Sequence, residues 1–283
     1  MNKAILLISC PDQKGITAAI TNFVFSYNGN IEHADQHIDF QSNIFFMRIE
    51  WSLETFDIPK NNIVKEFSPL AEKFNMNWNL YFTQKIPRIA IFASKHTHCL
   101  YDLLLKVKQN VFKCEVPLIL SNHSQVAPVA KEFDVNFYEF PKDSNNKSII
   151  EKEEIHLLKK EKIDLVVLAR YMQTLTKQFI SEFPNQIINI HHSFLPAFIG
   201  SNPYKQAYNR GVKIIGATGH YVTEQLDSGP IIEQDIVRVS HRSSLDDLKR
   251  EGQELERVVL SRAVRWHLER KILIYDNKTV VFD

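Results

Sequence analysis

The chain has 283 residues, with 34 Lys and Arg against 33 Asp and Glu and a formal charge of +1. That length holds two modest domains with separate cores, and the balanced charge argues against a nucleic-acid surface or a membrane-binding face. No apolar run approaches a membrane span or a signal h-region, so a cytoplasmic protein is expected; Cys10, Cys99 and Cys114 lack Cys-x-x-Cys spacing and read as reduced, buried thiols.

In chain order, Ala4–Ile8 reads as a short buried strand, broken by Pro11–Gly15. Ile16, Ala19, Ile20, Phe23, Val24 and Tyr27 recur at helical spacing, with a stop at Asn28-Gly29. Extended runs at Asn30–Phe40 and Ile44–Trp51 form a hairpin around Gln41-Ser42-Asn43. Ile63, Val64, Phe67, Leu70, Ala71 and Phe74 predict a second helix, and Met76, Trp78, Leu80 and Phe82 alternate as a last strand. The order βαββαβ predicts a ferredoxin-like domain over residues 1–83.

Thr83-Gln84-Lys85 reads as a linker, and residues 84–283 as a second domain. There the pattern is strand Ile89–Ala93, helix Leu100–Lys108, strand Val116–Ser121, helix near Val126–Phe133, a short extended piece Phe137–Phe140 and helix Ile149–Lys160. Strand Ile163–Ala169, a short helix near Thr176–Phe183 and strand Ile187–His191 follow. Strands Ile214–Val222 and Ile231–Val239, a long helix Ser243–Arg270 and a hairpin Ile272–Phe282 complete the chain. Alternating β and α with continuous apolar strands predicts a Rossmann-like α/β fold, a mostly parallel open sheet with helices on both faces. Ligands of such sheets sit at the carboxyl ends of strands, where His191 and Arg170-Tyr171-Met172 fall. None of the eight glycines lies between Gly29 and Gly200, so neither a Rossmann fingerprint nor a Walker loop is present.

The chemistry concentrates at Ile187–Pro196. Asn189 and His191 are two apart on a strand, so they leave it on one face and can converge on one small atom as an oxyanion site. Asp227, beside a Ser-Gly-Pro turn between two strands, is the candidate carboxylate. His33, Asp35, His37 and Asp39 share a strand face at a metal-like spacing but read as a solvated sheet face, so no metal is expected. His96-Thr97-His98 reads as a helix cap.

Asn-x-His-x-Ser-x-Leu-Pro at Asn189–Pro196, followed by His220 and Leu-Asp-x-Gly-Pro-Ile-Ile at Leu226–Ile232, resembles the formyltransferase family that uses formyltetrahydrofolate. The resemblance implies catalytic roles for Asn189, His191 and Asp227 and a supporting one for His220. It also implies that Arg170, Tyr171, Met172, Gln173, Thr174 and Leu175 hold the pterin ring. Within the family the chain most resembles the formyltetrahydrofolate deformylases, through His192, the Gly200-Ser201-Asn202-Pro203-Tyr204 run, Gly216-Ala217-Thr218 and the preceding small domain; Gly219 departs from their pattern, where Ala is expected. The implied activity is hydrolysis of 10-formyltetrahydrofolate to tetrahydrofolate and formate. The folate is then substrate, with no cofactor, and the formate supplies, for example, purine synthesis. Formyl transfer to an amine such as glycinamide ribonucleotide is the alternative. Asp12-Gln13-Lys14-Gly15-Ile16 between a first strand and helix resembles an ACT domain. An amino-acid effector, glycine or methionine, is then expected at Asp12, Gly15, Ile16 and Asn30, together with a homo-oligomer.

Overall fold

The computed structural model describes residues 2–143, 145–197 and 202–283, so Gly200 and Ser201 of the family-like run lie outside the described residues. The chain divides into two compact units, Met1–Ile86 with Glu269–Asp283, and Pro87–Leu268. No helix among the described residues is long and apolar enough to cross a membrane.

The first unit begins β1 (Lys3–Pro11), α1 (Ile16–Ser26), β2 (Ile31–Asp39), β3 (Ile44–Ser52), α2 (Ile63–Lys73) and β4 (Asn77–Phe82). The strands form an antiparallel sheet in the order β2-β3-β1-β4, the expected βαββαβ unit. Alternate residues of β1 and β3, among them Leu6, Ile8, Met47, Ile49 and Trp51, pack with Ile20 and Val24 of α1 and Phe67 of α2 in one core. The helix periodicity and the strand alternation therefore point at the same interior.

The second unit runs β5 (Arg88–Ala93), α3 (His98–Lys108), β6 (Glu115–Ser121), α4 (Ala127–Glu132), β7 (Asn136–Glu139), α5 (Lys147–Lys160), β8 (Leu165–Ala169), α6 (Lys177–Glu182) and β9 (Ile187–His191). It continues with α7 (Pro203–Arg210), β10 (Ile214–Tyr221), β11 (Ile231–Arg238) and α8 (Leu245–Leu268). Among the described residues the sheet has seven strands in the order β11-β10-β9-β8-β5-β6-β7. From β9 to β7 every neighbouring pair is parallel, while β10 runs antiparallel to both β9 and β11. Every residue of β8, and all of β5 after Arg88, is buried, as a sheet covered on both faces requires. Ser244 starts α8 with a reciprocal cap: its Oγ accepts from Asp247 N at 3.1 Å, and Ser244 N donates to the Asp247 carboxylate at 2.9 Å. Helix α7 was not anticipated, although Pro203 at its first turn and Gly211 (φ 68°) at its end are the usual start and stop residues.

The terminal hairpin corrects the expected boundary of a second domain running from 84 to 283. β12 (Ile272–Tyr275) and β13 (Lys278–Val281) pair antiparallel, and Leu273 and Phe282 pack on Leu7 and Phe46 in the first unit. Those two side chains point away from the helices, so without the hairpin that face of the sheet would be apolar and wet. Arg48, almost fully buried, ties the segment down by donating from Nε to Arg270 O at 3.0 Å and from Nη2 to Glu269 O at 3.3 Å. Phe282→Ala is expected to cost about 3 kcal/mol, read as a lower urea midpoint of the first unit's transition. An unchanged midpoint would show that the hairpin does not complete this core.

Candidate active site

The site is assembled by the register of two antiparallel strands. β9 and β10 pair so that His220 stands opposite Asn189 and Thr218 opposite His191. Residues two apart share a face, so all four side chains leave the sheet together. Asn189 Nδ2 lies 3.2 Å from His220 Nε2, and His220 Nδ1 lies 2.9 Å from Tyr221 O. A carbonyl oxygen only accepts, so Nδ1 carries the proton and Nε2 accepts from Asn189. Burial lowers the His220 pKa, which agrees with this neutral form. One amide hydrogen of Asn189 then remains for a ligand.

Asp227 completes the group. It sits in the left-handed region at φ 51°, a conformation aspartate tolerates better than most residues. The following turn is pinned where a Cβ on Gly229 would fall 1.8 Å from Tyr221 O, so only glycine fits. Asp227 Oδ2 lies 3.2 Å from His191 Nδ1, and Oδ1 lies 3.7 Å from His220 Nε2. Burial pushes the Asp227 carboxyl up, but the hydrogen bond from His191 and the attraction of that ring outweigh it and hold the group below its usual range. The outer nitrogen of His191, Nε2, is buried without a hydrogen-bond partner. Thr218 fixes the strand exit: its Oγ1 donates to Ser193 O at 2.8 Å and accepts from Leu195 N at 3.0 Å. Ser193 donates to Ala197 O at 2.6 Å, a structural contact. A Cβ at Gly219 would stand 3.1 Å from Ala263 Cβ on α8, and His220 beside it keeps its own hydrogen bonds.

These groups line one end of a pocket of about 260 Å³. All six residues expected to hold the pterin, Arg170 to Leu175, line it, together with Leu168, Ile180 and the run Val222–Asp227. Tyr171 is held edge-to-face on Phe92 at 5.3 Å, and Met172 N donates to Ser94 Oγ at 3.1 Å, which fastens this wall to the end of β5. Residues 222–226 are a second wall that sequence reasoning missed, since it read the stretch only as the source of Asp227.

A second buried carboxylate was also missed. Glu256 of α8 is fully buried; its Oε2 lies 2.6 Å from His98 Nε2 and 3.3 Å from Arg170 Nε, and its Oε1 accepts from Tyr204 Oη at 2.5 Å. Thr97 precedes α3 but its side chain makes no cap hydrogen bond, so the expected helix cap at 96–98 is replaced by a His98–Glu256 ion pair. The His98, Cys99 and Glu256 ligand atoms lie within 4.8 Å of one another. Yet Glu256 already faces the Arg170 cation, and burial drives the Cys99 thiol well above its usual pKa, away from the thiolate a metal needs. Next to His191, His192 packs on Tyr204, and burial followed by the Arg170 charge pushes its pKa down to about 3.

Residues 87–264 match the formyl transferase family and residues 4–70 the ACT domain. The chain is 54% identical over 279 residues to a formyltetrahydrofolate deformylase of Synechocystis sp., an alignment covering 99% of this chain and 98% of that protein. The chain belongs to the formyltetrahydrofolate deformylase family. A crystal structure of a deformylase from Pseudomonas syringae pv. tomato superposes with a TM-score of 0.97 at 45% identity, covering 100% of this chain and 95% of that one. A glycinamide ribonucleotide transformylase from Symbiobacterium toebii reaches a TM-score of 0.68 at 29% identity, covering 72% of this chain and 98% of that one. The deformylase likeness therefore runs through both units, whereas the transformylase likeness is partial.

The effector residues do not all meet. Asp12, Gly15 (φ 94°) and Ile16 lead into α1, whose start no side chain caps. Asn30 lies past the other end of that helix, about 16 Å of rise away, where its carbonyl accepts from Ser52 N, while Asp12 N donates to Asn43 O at the opposite end of β3. Within one chain Asn30 is thus separated from the other three. Ile16 is buried in the core, which leaves only its backbone for a ligand.

The low His192 pKa has a sign that can be tested. Below the ordinary value of 6.5 the unfolded chain binds a proton that folded His192 refuses until about pH 3, so stability falls as pH drops through that window. His192→Gln should therefore show a shallower loss of urea midpoint between pH 6.5 and 4 than the wild type. Parallel profiles would contradict the assignment.

Proposed function

We propose that this chain hydrolyses 10-formyltetrahydrofolate to tetrahydrofolate and formate, with Asn189, His191 and Asp227 as the catalytic residues and no added cofactor. The observation that carries the reading is the buried His191 Nε2, unpartnered at the end of a pocket with two walls. A pterin lies along residues 170–175, which brings the formyl group to Asn189 and His191. Water attacks the formyl carbon, and the carbonyl oxygen becomes an oxyanion that accepts from the Asn189 amide and from His191 Nε2–H. Asp227, ionised at neutral pH, orients the imidazole through Nδ1, supports its charged form and takes the water's proton. The tetrahedral intermediate collapses as the folate nitrogen leaves with the proton that Asp227 took from the water, and His220 holds Asn189 in place.

Transfer of the formyl group to an amine is the weaker reading. The turn after β5 has no glycine with which to cradle an acceptor's phosphate, and it carries His96 and His98, the latter paired with Glu256. The formate released would serve purine synthesis and balance the one-carbon pool, in the cytoplasm, in a homo-oligomer paired through its ACT units. The deciding assay is formate release with and without amine acceptors. Asp227→Asn should lose about a hundredfold or more in kcat with folate affinity nearly unchanged; a variant that keeps most of its kcat would remove Asp227 from the reaction.

The first unit is proposed to bind glycine or methionine through the backbone of Gly15 and Ile16 near Asp12, since the start of α1 offers free N–H groups suited to a carboxylate. Allosteric coupling of about 1–3 kcal/mol would change turnover several-fold. Titration calorimetry on the full chain should detect one of the two amino acids. Its effect on rate should vanish in Gly15→Val, where a β-branched residue is forced to φ 94°. Absence of binding, or an equal effect in the variant, would contradict the sensor.

A further inference from the structure

Behind the wall at residues 170–176 lies a charged cluster that the proposed chemistry does not use. Glu151 and Glu154 of α5 are buried, and the Lys142 side chain, from the β7–α5 connection, has no exposed surface. Ile155 and Leu158 of the same helix pack in an apolar cluster with Tyr171, Leu175 and Phe179. Glu151 Oε2 accepts from Thr176 N at 3.1 Å and from the Thr176 hydroxyl, so it fastens the residue at which the pocket wall ends and α6 begins. Glu154 Oε2 accepts from Lys142 Nζ at 2.7 Å, and the same ammonium stands 3.8 Å from Glu151 Oε1 and 5.4 Å from the centre of the Tyr171 ring.

The cluster is out of balance as long as both carboxyls are ionised. Two buried negative charges then face one positive charge, and Glu151 Oε1 and Glu154 Oε1 are both buried without a donor. Unpaired acceptors of this kind are rare because each forfeits its hydration with no replacement. One proton on the pair brings the cluster to neutrality and turns one acceptor into a donor. Burial, partly offset by Lys142 and reinforced by Glu151, pushes the Glu154 pKa up to about 7. The groups facing Glu154 are Lys142, Glu151 and Tyr171, and burial drives the Tyr171 hydroxyl upward too, so it stays neutral.

We propose that Lys142, Glu151 and Glu154 are positioning residues for the pocket wall, and that folate binding is linked to one proton held by the Glu151–Glu154 pair. This rests on the reading that a folate occupies the pocket. Below about pH 7 the cluster is neutral and holds Thr176 and Tyr171 in the arrangement the ligand packs against. Above it, binding takes up a proton, and affinity falls by up to about tenfold per pH unit.

The test uses the full chain with 5-formyltetrahydrofolate as the probe. Calorimetry at pH 8 in two buffers of different ionisation heat should find most of one proton taken up by the wild type on binding. Glu154→Gln, a lasting neutral stand-in, should take up none and bind with a flat profile from pH 6 to 9. Glu151→Gln gives the same loss of proton uptake by a second route should Glu154→Gln fold poorly. Equal uptake in the wild type and both variants overturns the proposal. A ligand-free measurement separates the cluster from the substrate assignment. Folded Glu154 holds its proton from the ordinary 4.5 up to about 7, so wild-type thermal stability should fall with rising pH across that window and the Glu154→Gln slope should be flatter. Parallel slopes overturn the proposal whatever the substrate. A wild type that shows the slope but binds no folate overturns it together with the hydrolase reading.

Discussion

The antiparallel pairing of β10 against β9 is the constraint on which the site depends. Were β10 parallel, like the other neighbours of the central strands, or shifted by one residue, His220 would no longer face Asn189 and Thr218 would no longer face His191. The reversal of direction at this edge also sends the chain from Tyr221 back across the strand ends toward Ile231, and Asp227 hangs in that return. A single register thus supplies the amide, both imidazoles and the turn that carries the carboxylate.

Two carboxylates divide the electrostatics around the adjacent histidines. Asp227 serves His191 and borders the pocket, whereas Glu256 is enclosed and satisfied by His98, Arg170 and Tyr204. Burial, reinforced by the Arg170 charge, keeps His192 neutral beside His191. Buried ion pairs of this kind add little net stability but are costly to break on one side only. Their contribution here is to hold Arg170 at the head of the pocket wall, in a left-handed backbone at φ 61°.

Much of this was legible in the sequence where the signal is local. Period two places Asn189 and His191 on one face, and continuous apolar runs identify β5 and β8 as buried on both sides. The wall at residues 170–175 could be placed because it follows such a strand and resembles a known segment. The partnership of His98 with Glu256 was not legible, since the two are 158 residues apart and nothing near either announces the other. The terminal hairpin is legible as a hairpin, but the unit it joins is not legible from its own residues. Leu7 and Phe46 interrupt the alternation of β1 and β3 with apolar residues on the outer face, and that departure was the available sign that something must cover them. The resemblance groups Asn30 with Asp12, and within one chain helix α1 stands between them.

The central claim is that water is the acceptor of the formyl group at the Asn189, His191 and Asp227 cluster. A single-turnover reaction with 10-formyltetrahydrofolate in ¹⁸O-enriched water, analysed by mass spectrometry, tests it most directly. The account predicts formate carrying one ¹⁸O atom from solvent, with tetrahydrofolate formed in equal amount. Unlabelled formate, or a formyl group recovered on the protein or on an added amine, would contradict it.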